Sequence, residues 1–316
     1  MNEALVQIGA LDPAVGNFVF PLVQALDAHP ALHTVFTIIA LLGSEYFYIP
    51  AVLLIFWCID RERGFKLGQL VLVSAWINGW LRACRIEAWY DLPSPAVQVS
   101  LCFWFFAAVW VSRVWFWVLA VCMILLIGFT QTALAIDLPI DIVSGALAGA
   151  LVLALFYLVQ RVFWLKGRVE KIAISARARV RLKLLIVAFI SLGMNKLYPQ
   201  ERRISAIFLG FCAGSVLWQE IFLPKFAVSV EVFAGPNTVF HKITLAILGS
   251  VGLVLLYGGL TFILPGEGSA LASLPFFSAS SPVYAIGAFL RYGILGLWCS
   301  AGVFWVSFKR QRKAND

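Results

Sequence analysis

The sequence predicts an all-α, polytopic membrane protein. Of its 316 residues, 62% are hydrophobic and only 13% are charged, and the mean hydropathy is +0.92. Soluble domains carry about 25% charged residues, so a water-soluble enzyme is excluded. The apolar residues fall in long runs separated by charge, Gly or Pro, which is typical of helices that need about 20 residues to cross the hydrocarbon.

These runs predict nine helices. They cover residues 44–59, 67–83, 97–112, 114–130, 139–165, 184–198, 204–223, 243–264 and 283–308. The preceding segment, 1–43, contains several prolines but no Lys or Arg. We therefore expect an interfacial segment rather than a cleaved signal peptide, with 33–42 either a short extra helix or an extension of the first.

Charged connections indicate how the helices are grouped and oriented. Residues 44–165 are predicted to form a five-helix core, 166–183 a basic loop, 184–308 four further helices and 309–316 a basic tail. Connections rich in Lys and Arg face the cytoplasm, and placing Arg113 inside puts 18 of the 24 basic residues there. This predicts a protein of the inner (cytoplasmic) membrane with its amino terminus outside, its carboxyl terminus inside, and connections 84–96 and 131–138 on the outer face.

The composition also limits the chemistry. The six cysteines stand singly in or beside apolar runs, without a Cys-x-x-Cys pair or a neighbouring His, so neither a metal site nor a cofactor is predicted. The net charge of +8 lies between apolar runs rather than along one soluble face, which indicates membrane topology and not nucleic acid binding. Two motifs, Gly145-Ala-Leu-Ala-Gly149 and Gly210-Phe-Cys-Ala-Gly214, predict close helix packing within the chain.

Three polar blocks carry a resemblance to a known family. The blocks are Asn78-Gly-Trp-Leu-Arg82, Pro93-Ser94 with Gln98 behind it, and Asp137-Leu-Pro-Ile-Asp141-Ile-Val-Ser-Gly145. Together with Leu42-Gly-Ser-Glu45 and Phe289-Leu-Arg291-Tyr, they resemble bacterial integral membrane members of the type 2 phosphatidic acid phosphatase superfamily. The resemblance covers most of the chain, and it implies that family's helical core followed by about four extra helices.

The chemistry that the resemblance implies is phosphoryl transfer to a histidine, with a second histidine protonating the leaving oxygen and cations holding the phosphate. The positions that match the family's motifs are Arg82, Ser94, Ala96, Gln131, Asp137 and Asp141. Asp137 stands where the nucleophilic histidine belongs and Ala96 where the acid belongs, so we expect a catalytically degenerate member. Asp137 and Asp141, four residues apart, are expected to place two like charges on one helical face.

The absence of both histidines does not prevent phosphate binding. Arg82 and Arg85 lie three residues apart, and two guanidinium groups can hold a phosphate through bidentate bonds. The predicted headgroup-binding residues are Arg82, Arg85, Ser94, Gln98 and Gln131. The expected partner is a membrane lipid, either an anionic phospholipid or an isoprenoid phosphate.

Three alternatives stay open at this point. The arginines could instead pair with Glu87, Asp137 or Asp141 and close a vestigial pocket. The protein could be an active lipid phosphatase with an altered nucleophile. It could also be a transporter of lipids or small molecules on the same scaffold, in which case a polar track should continue toward Glu220.

Overall fold

The computed structural model describes residues 13–84, 92–169, 176–222, 239–264 and 282–307, and all regular structure in these ranges is helical. The α-helices are α1 Pro13–Asp27, α2 Pro30–Leu41, α3 Glu45–Leu54, α4 Arg61–Ala83, α5 Pro95–Val111, α6 Val114–Ala133, α7 Pro139–Val169, α8 Ala176–Leu197, α9 Arg202–Leu217, α10 Val239–Ile263 and α11 Pro282–Leu297. Three π-helical turns, Ile55–Ile59, Trp218–Phe222 and Trp298–Gly302, continue α3, α9 and α11. All nine predicted helices are present, as α3 to α11.

Five helical stretches in the described ranges are long and apolar enough to span a membrane. They are Val114–Ala133, Pro139–Arg161, Pro199–Phe222, Lys242–Ile263 and Val283–Ser307. A sixth is added if Pro30–Leu41 and Glu45–Ile59, which are bent by 46°, form one broken span. The chain is therefore a multi-pass membrane protein.

The other predicted spans are helical, but they are not both long and apolar enough to count as membrane-spanning helices. Helix α5 has only 17 residues, which is short for the hydrocarbon core. Helices α4 and α8 carry several Arg and Lys residues in their first turns, which lowers their mean hydropathy. Length and end charges, rather than loss of helical structure, separate these three helices from the others.

The segment before α3 is also helical. Pro13 and Pro30 are the first residues of α1 and α2. A proline is tolerated at the first helical position because the amide hydrogen it lacks has no partner within the helix there. These prolines therefore begin helices, and 33–42 belongs to a separate short helix, α2.

The chain forms two compact units. One consists of Met1–Val52 and Lys66–Glu170, and the other of Leu53–Phe65 and Lys171–Asp316. The division after Glu170 falls inside the basic stretch 166–183. The segment Leu53–Phe65 lies in the predicted core 44–165 but is part of the second unit.

In the first unit, α5 is the central helix and packs against α6 and α7. Helix α7 approaches α5 closely at two glycines. A Cβ atom on Gly145 would lie 2.7 Å from the carbonyl oxygen of Ser94, and one on Gly149 would lie 2.8 Å from that of Gln98. The close packing predicted for this motif is confirmed, and it holds the first turns of α7 beside the start of α5.

In the second unit, α9 packs against α8 and α11. A Cβ atom on Gly210 would overlap the carbonyl oxygen of Gly293, and one on Gly214 would overlap the hydroxyl of Ser300. The second glycine motif therefore also serves packing within the chain, as predicted. The Leu53–Phe65 segment joins this unit through the indole of Trp57, whose Nε1 donates to the carbonyl oxygen of Cys299 at 2.8 Å.

Candidate functional site

The candidate site lies where two connections meet at the starts of α5 and α7. Ser94 caps α5, because its Oγ accepts a hydrogen bond from the amide of Val97 at 3.3 Å. The same hydroxyl donates to Oδ2 of Asp137 at 2.5 Å. The Ser94 amide donates to the carbonyl oxygen of Asp141 at 2.9 Å. These bonds place the second and third polar blocks next to each other.

Both aspartates of the third block are buried. Oδ2 of Asp141 accepts the amide of Leu138 at 2.8 Å, and Asp141 lies in the first turn of α7, where the helix dipole favours a negative charge. The expectation of two like charges on one helical face is wrong, since Asp137 precedes the helix. The residue before a proline avoids the helical conformation, so α7 begins only at Pro139.

Gln98 lies one turn beyond Ser94 and is fully buried, but its side chain bonds to α4. Its Nε2 donates to the carbonyl oxygen of Ser74 at 2.9 Å, and its Oε1 accepts from Nδ2 of Asn78 at 2.9 Å. Asn78 also donates to the carbonyl oxygen of Pro93 at 2.9 Å. The amide of Gln98 therefore serves to join α4 and α5 within the first unit.

Ser74 is a buried partner of Gln98 for which no role was predicted from the sequence. The signal was present, because Ser74, Asn78 and Arg82 are spaced by four residues and so lie along one face of α4. This places Arg82 one turn beyond the residue that contacts Pro93. Arg82 itself is partly exposed in the last turn of α4.

The other residues predicted from the sequence to belong to the site are Gln131, Ala96, Arg85 and Glu87. The carbonyl oxygen of Gln131 accepts the amides of Ile136 and Asp137, at 2.9 and 3.2 Å. The side chain of Gln131 is buried, and its Oε1 has no hydrogen-bond partner among the described residues. Ala96 is buried in the first turn of α5. Arg85 and Glu87 lie outside the described residues.

The predicted site residues that the structure describes supply two carboxylates, one serine hydroxyl, two side-chain amides and the guanidinium of Arg82. Among the described residues, no group of three or more His, Cys, Asp and Glu side chains is placed to hold a metal ion.

Comparisons of the chain with protein-family models, with curated proteins and with solved structures gave no match.

Proposed function

We propose that this protein is a non-catalytic relative of the phosphatidic acid phosphatases that binds the phosphate of an anionic lipid at the outer end of its first unit. The observation that supports this proposal is the 2.5 Å hydrogen bond between Ser94 and Asp137. It brings together the two blocks that would converge on the phosphate in that family. The starts of α5 and α7 then form one end of the binding region.

The same bond argues against catalysis. The carboxylate of Asp137, in the position of the nucleophilic histidine, already accepts the Ser94 hydroxyl, and this hydrogen bond stabilises the charged form and makes it a weaker nucleophile. Ala96, in the position of the general acid, has no proton to donate. A general acid or base typically contributes a factor of about 10² to 10⁴ to the rate, so the loss of both leaves little activity.

The arginines carry the proposed binding. Ser94 and Gln98 use their polar groups inside the first unit, so they do not remain as neutral donors to a headgroup. Arg82 and Arg85 supply the charge-assisted hydrogen bonds, and Gln131 supplies an amide. The binding set is thereby reduced from five residues to three.

Two alternatives are distinguished by particular contacts. A closed pocket, in which the arginines are structural partners of acidic side chains, is favoured by the burial of Asp137 and Asp141, because a buried carboxylate needs compensating groups. A transport path through Glu220 is not favoured. Oε1 of Glu220 lies 2.5 Å from Nζ of Lys183 in the second unit, which is an ion pair between two elements of that unit.

The catalytic half of the proposal is tested with the purified protein. We expect no phosphate release from phosphatidic acid, phosphatidylglycerol phosphate or undecaprenyl phosphate above the detergent background. Release that disappears in Asp137→Asn would overturn this half and would identify the carboxylate as the nucleophile.

The binding half is tested by native mass spectrometry of lipid adducts. Replacing both Arg82 and Arg85 with Gln should weaken binding of an anionic phospholipid by about a hundredfold or more, because each arginine loses at least one charged hydrogen bond worth about 1.5 to 3 kcal/mol. Binding of a zwitterionic lipid should not change. Arg113→Gln is the matched control, since Arg113 is exposed at the start of α6. Identical adducts in the double variant and the wild type would refute headgroup binding.

A further inference from the structure

An arginine in the second unit is surrounded by aromatic rings. The Cζ atom of Arg61 lies 4.1 Å from the ring centroid of Phe304, 5.3 Å from that of Trp218 and 5.6 Å from that of Phe56. Its Nη2 donates to the carbonyl oxygen of Ser300 at 3.3 Å. Its Nε is buried and has no hydrogen-bond partner among the described residues.

This arginine lies where three π-helical turns meet. Phe56 belongs to the turn Ile55–Ile59, Trp218 begins the turn Trp218–Phe222, and Ser300 belongs to the turn Trp298–Gly302. A π turn inserts an extra residue into a helix and frees carbonyl groups from the regular helical hydrogen bonds. Such turns are rare in proteins, and those that occur are often found at functional sites. In the last of these turns, the carbonyl oxygens of Cys299 and Ser300 accept from Trp57 and Arg61.

The charge of Arg61 is compensated by these rings and one carbonyl. In the described part of the chain, no carboxylate lies within salt-bridge distance of Arg61, whereas the neighbouring Arg63 pairs with Asp60 at 3.3 Å. The face of an aromatic ring attracts a cation within about 6 Å of its centroid, and the attraction grows when water is removed. Arginine is effectively always protonated in proteins, so the guanidinium of Arg61 is a cation at neutral pH.

We propose that Phe56, Trp218 and Phe304 form a cation-binding cage that takes planar organic cations of the guanidinium type, and that its resident occupant is the chain's own Arg61. The site belongs to the second unit and is independent of the lipid site proposed for the first. Because Phe56 and Arg61 both lie in Leu53–Phe65, occupation of the cage fastens this segment to the helices that follow Lys171.

Chemical rescue of Arg61→Ala in the full-length protein tests the cage. The variant should unfold about 4 °C or more below the wild type in detergent, since a desolvated cation–π contact is worth about 2 kcal/mol. Millimolar guanidinium should restore at least half of the loss and should saturate. Urea, which has nearly the same shape but no charge, should not. Neither compound should stabilise the wild type or Arg63→Ala.

Two further variants separate the cage from simple packing. Arg61→Ala combined with Phe304→Ala should no longer respond to guanidinium, because the closest ring is gone. Arg61→Met fills a similar volume without charge and should be about as unstable as Arg61→Ala. If the alanine variant does not fold, a methionine variant that does fold would overturn the proposal. Equal rescue by urea, no rescue by guanidinium, or wild-type stability in Arg61→Met would each overturn the proposal.

Discussion

Replacing Ser94 with alanine should destabilise the protein by about 2 to 4 kcal/mol. The Ser94 hydroxyl accepts from the amide of Val97 and donates to the carboxylate of Asp137, and all three groups are buried. Loss of a serine cap costs about 1 kcal/mol. Leaving a buried acceptor without its donor costs about 1 to 3 kcal/mol more. The two free-energy losses are summed because the substitution removes one hydroxyl group that makes both hydrogen bonds.

Equilibrium unfolding in mixed micelles measures this effect for the wild type, Ser94→Ala, Asp137→Asn and the double variant. If the two side chains interact directly, the cycle should give a coupling of about 1.5 kcal/mol or more. Ser112→Ala is the control, since Ser112 is exposed at the end of α5 and should change stability by less than about 0.5 kcal/mol. An additive double variant, or an equal loss in the control, would refute the role assigned to this bond.

Three other outcomes are expected. Gly145→Ala should lower the free energy of unfolding by about 1 to 3 kcal/mol, because the added Cβ would meet the carbonyl oxygen of Ser94. Gly193→Ala is the control, and it should be neutral or stabilising because a Cβ there has no neighbour within 4 Å. Gln98→Leu should cost about 1 to 3 kcal/mol without changing anionic lipid binding in native mass spectrometry, since its amide is bonded to α4. Cys84 is exposed after α4 and belongs to a connection that is predicted to face outward. In a variant that keeps only this cysteine, it should react with an impermeant maleimide in sealed right-side-out vesicles. Labelling only in inverted vesicles would show that the proposed orientation is wrong.

The helices could be predicted from the sequence because hydropathy directly reflects which stretches can be removed from water. All nine predicted segments are helical. The assignment of Leu53–Phe65 to the second unit could not be predicted. It depends on which apolar faces meet, and Phe56 and Trp57 would look equally suited to either unit in the sequence. The π turns likewise leave no mark in a hydropathy pattern.

The candidate site was predictable to the level of which connections meet. The family resemblance implied that the blocks containing Ser94 and Asp137 belong to one site, and the hydrogen bond between the two side chains agrees with this. The direction of the Gln98 side chain was not predictable, because a buried amide bonds to whichever neighbour offers matching groups. Ser74 and Asn78 on α4 offer them, and this removes Gln98 from the residues available to a ligand.

Charge balance decides between headgroup binding and a closed pocket. One oxygen of Asp137 and one of Asp141 accept a hydrogen bond from within the site, and both side chains are buried. If Arg82 and Arg85 serve mainly to compensate these carboxylates, replacing both arginines with Gln leaves buried charge uncompensated and should cost about 3 to 5 kcal/mol of stability. If the arginines mainly hold a lipid phosphate, the double variant should lose lipid adducts while its stability in lipid-free detergent changes little. Stability and lipid binding measured on the same variant therefore separate the two functions, because two guanidinium groups cannot fully neutralise two carboxylates and a phosphate dianion at once.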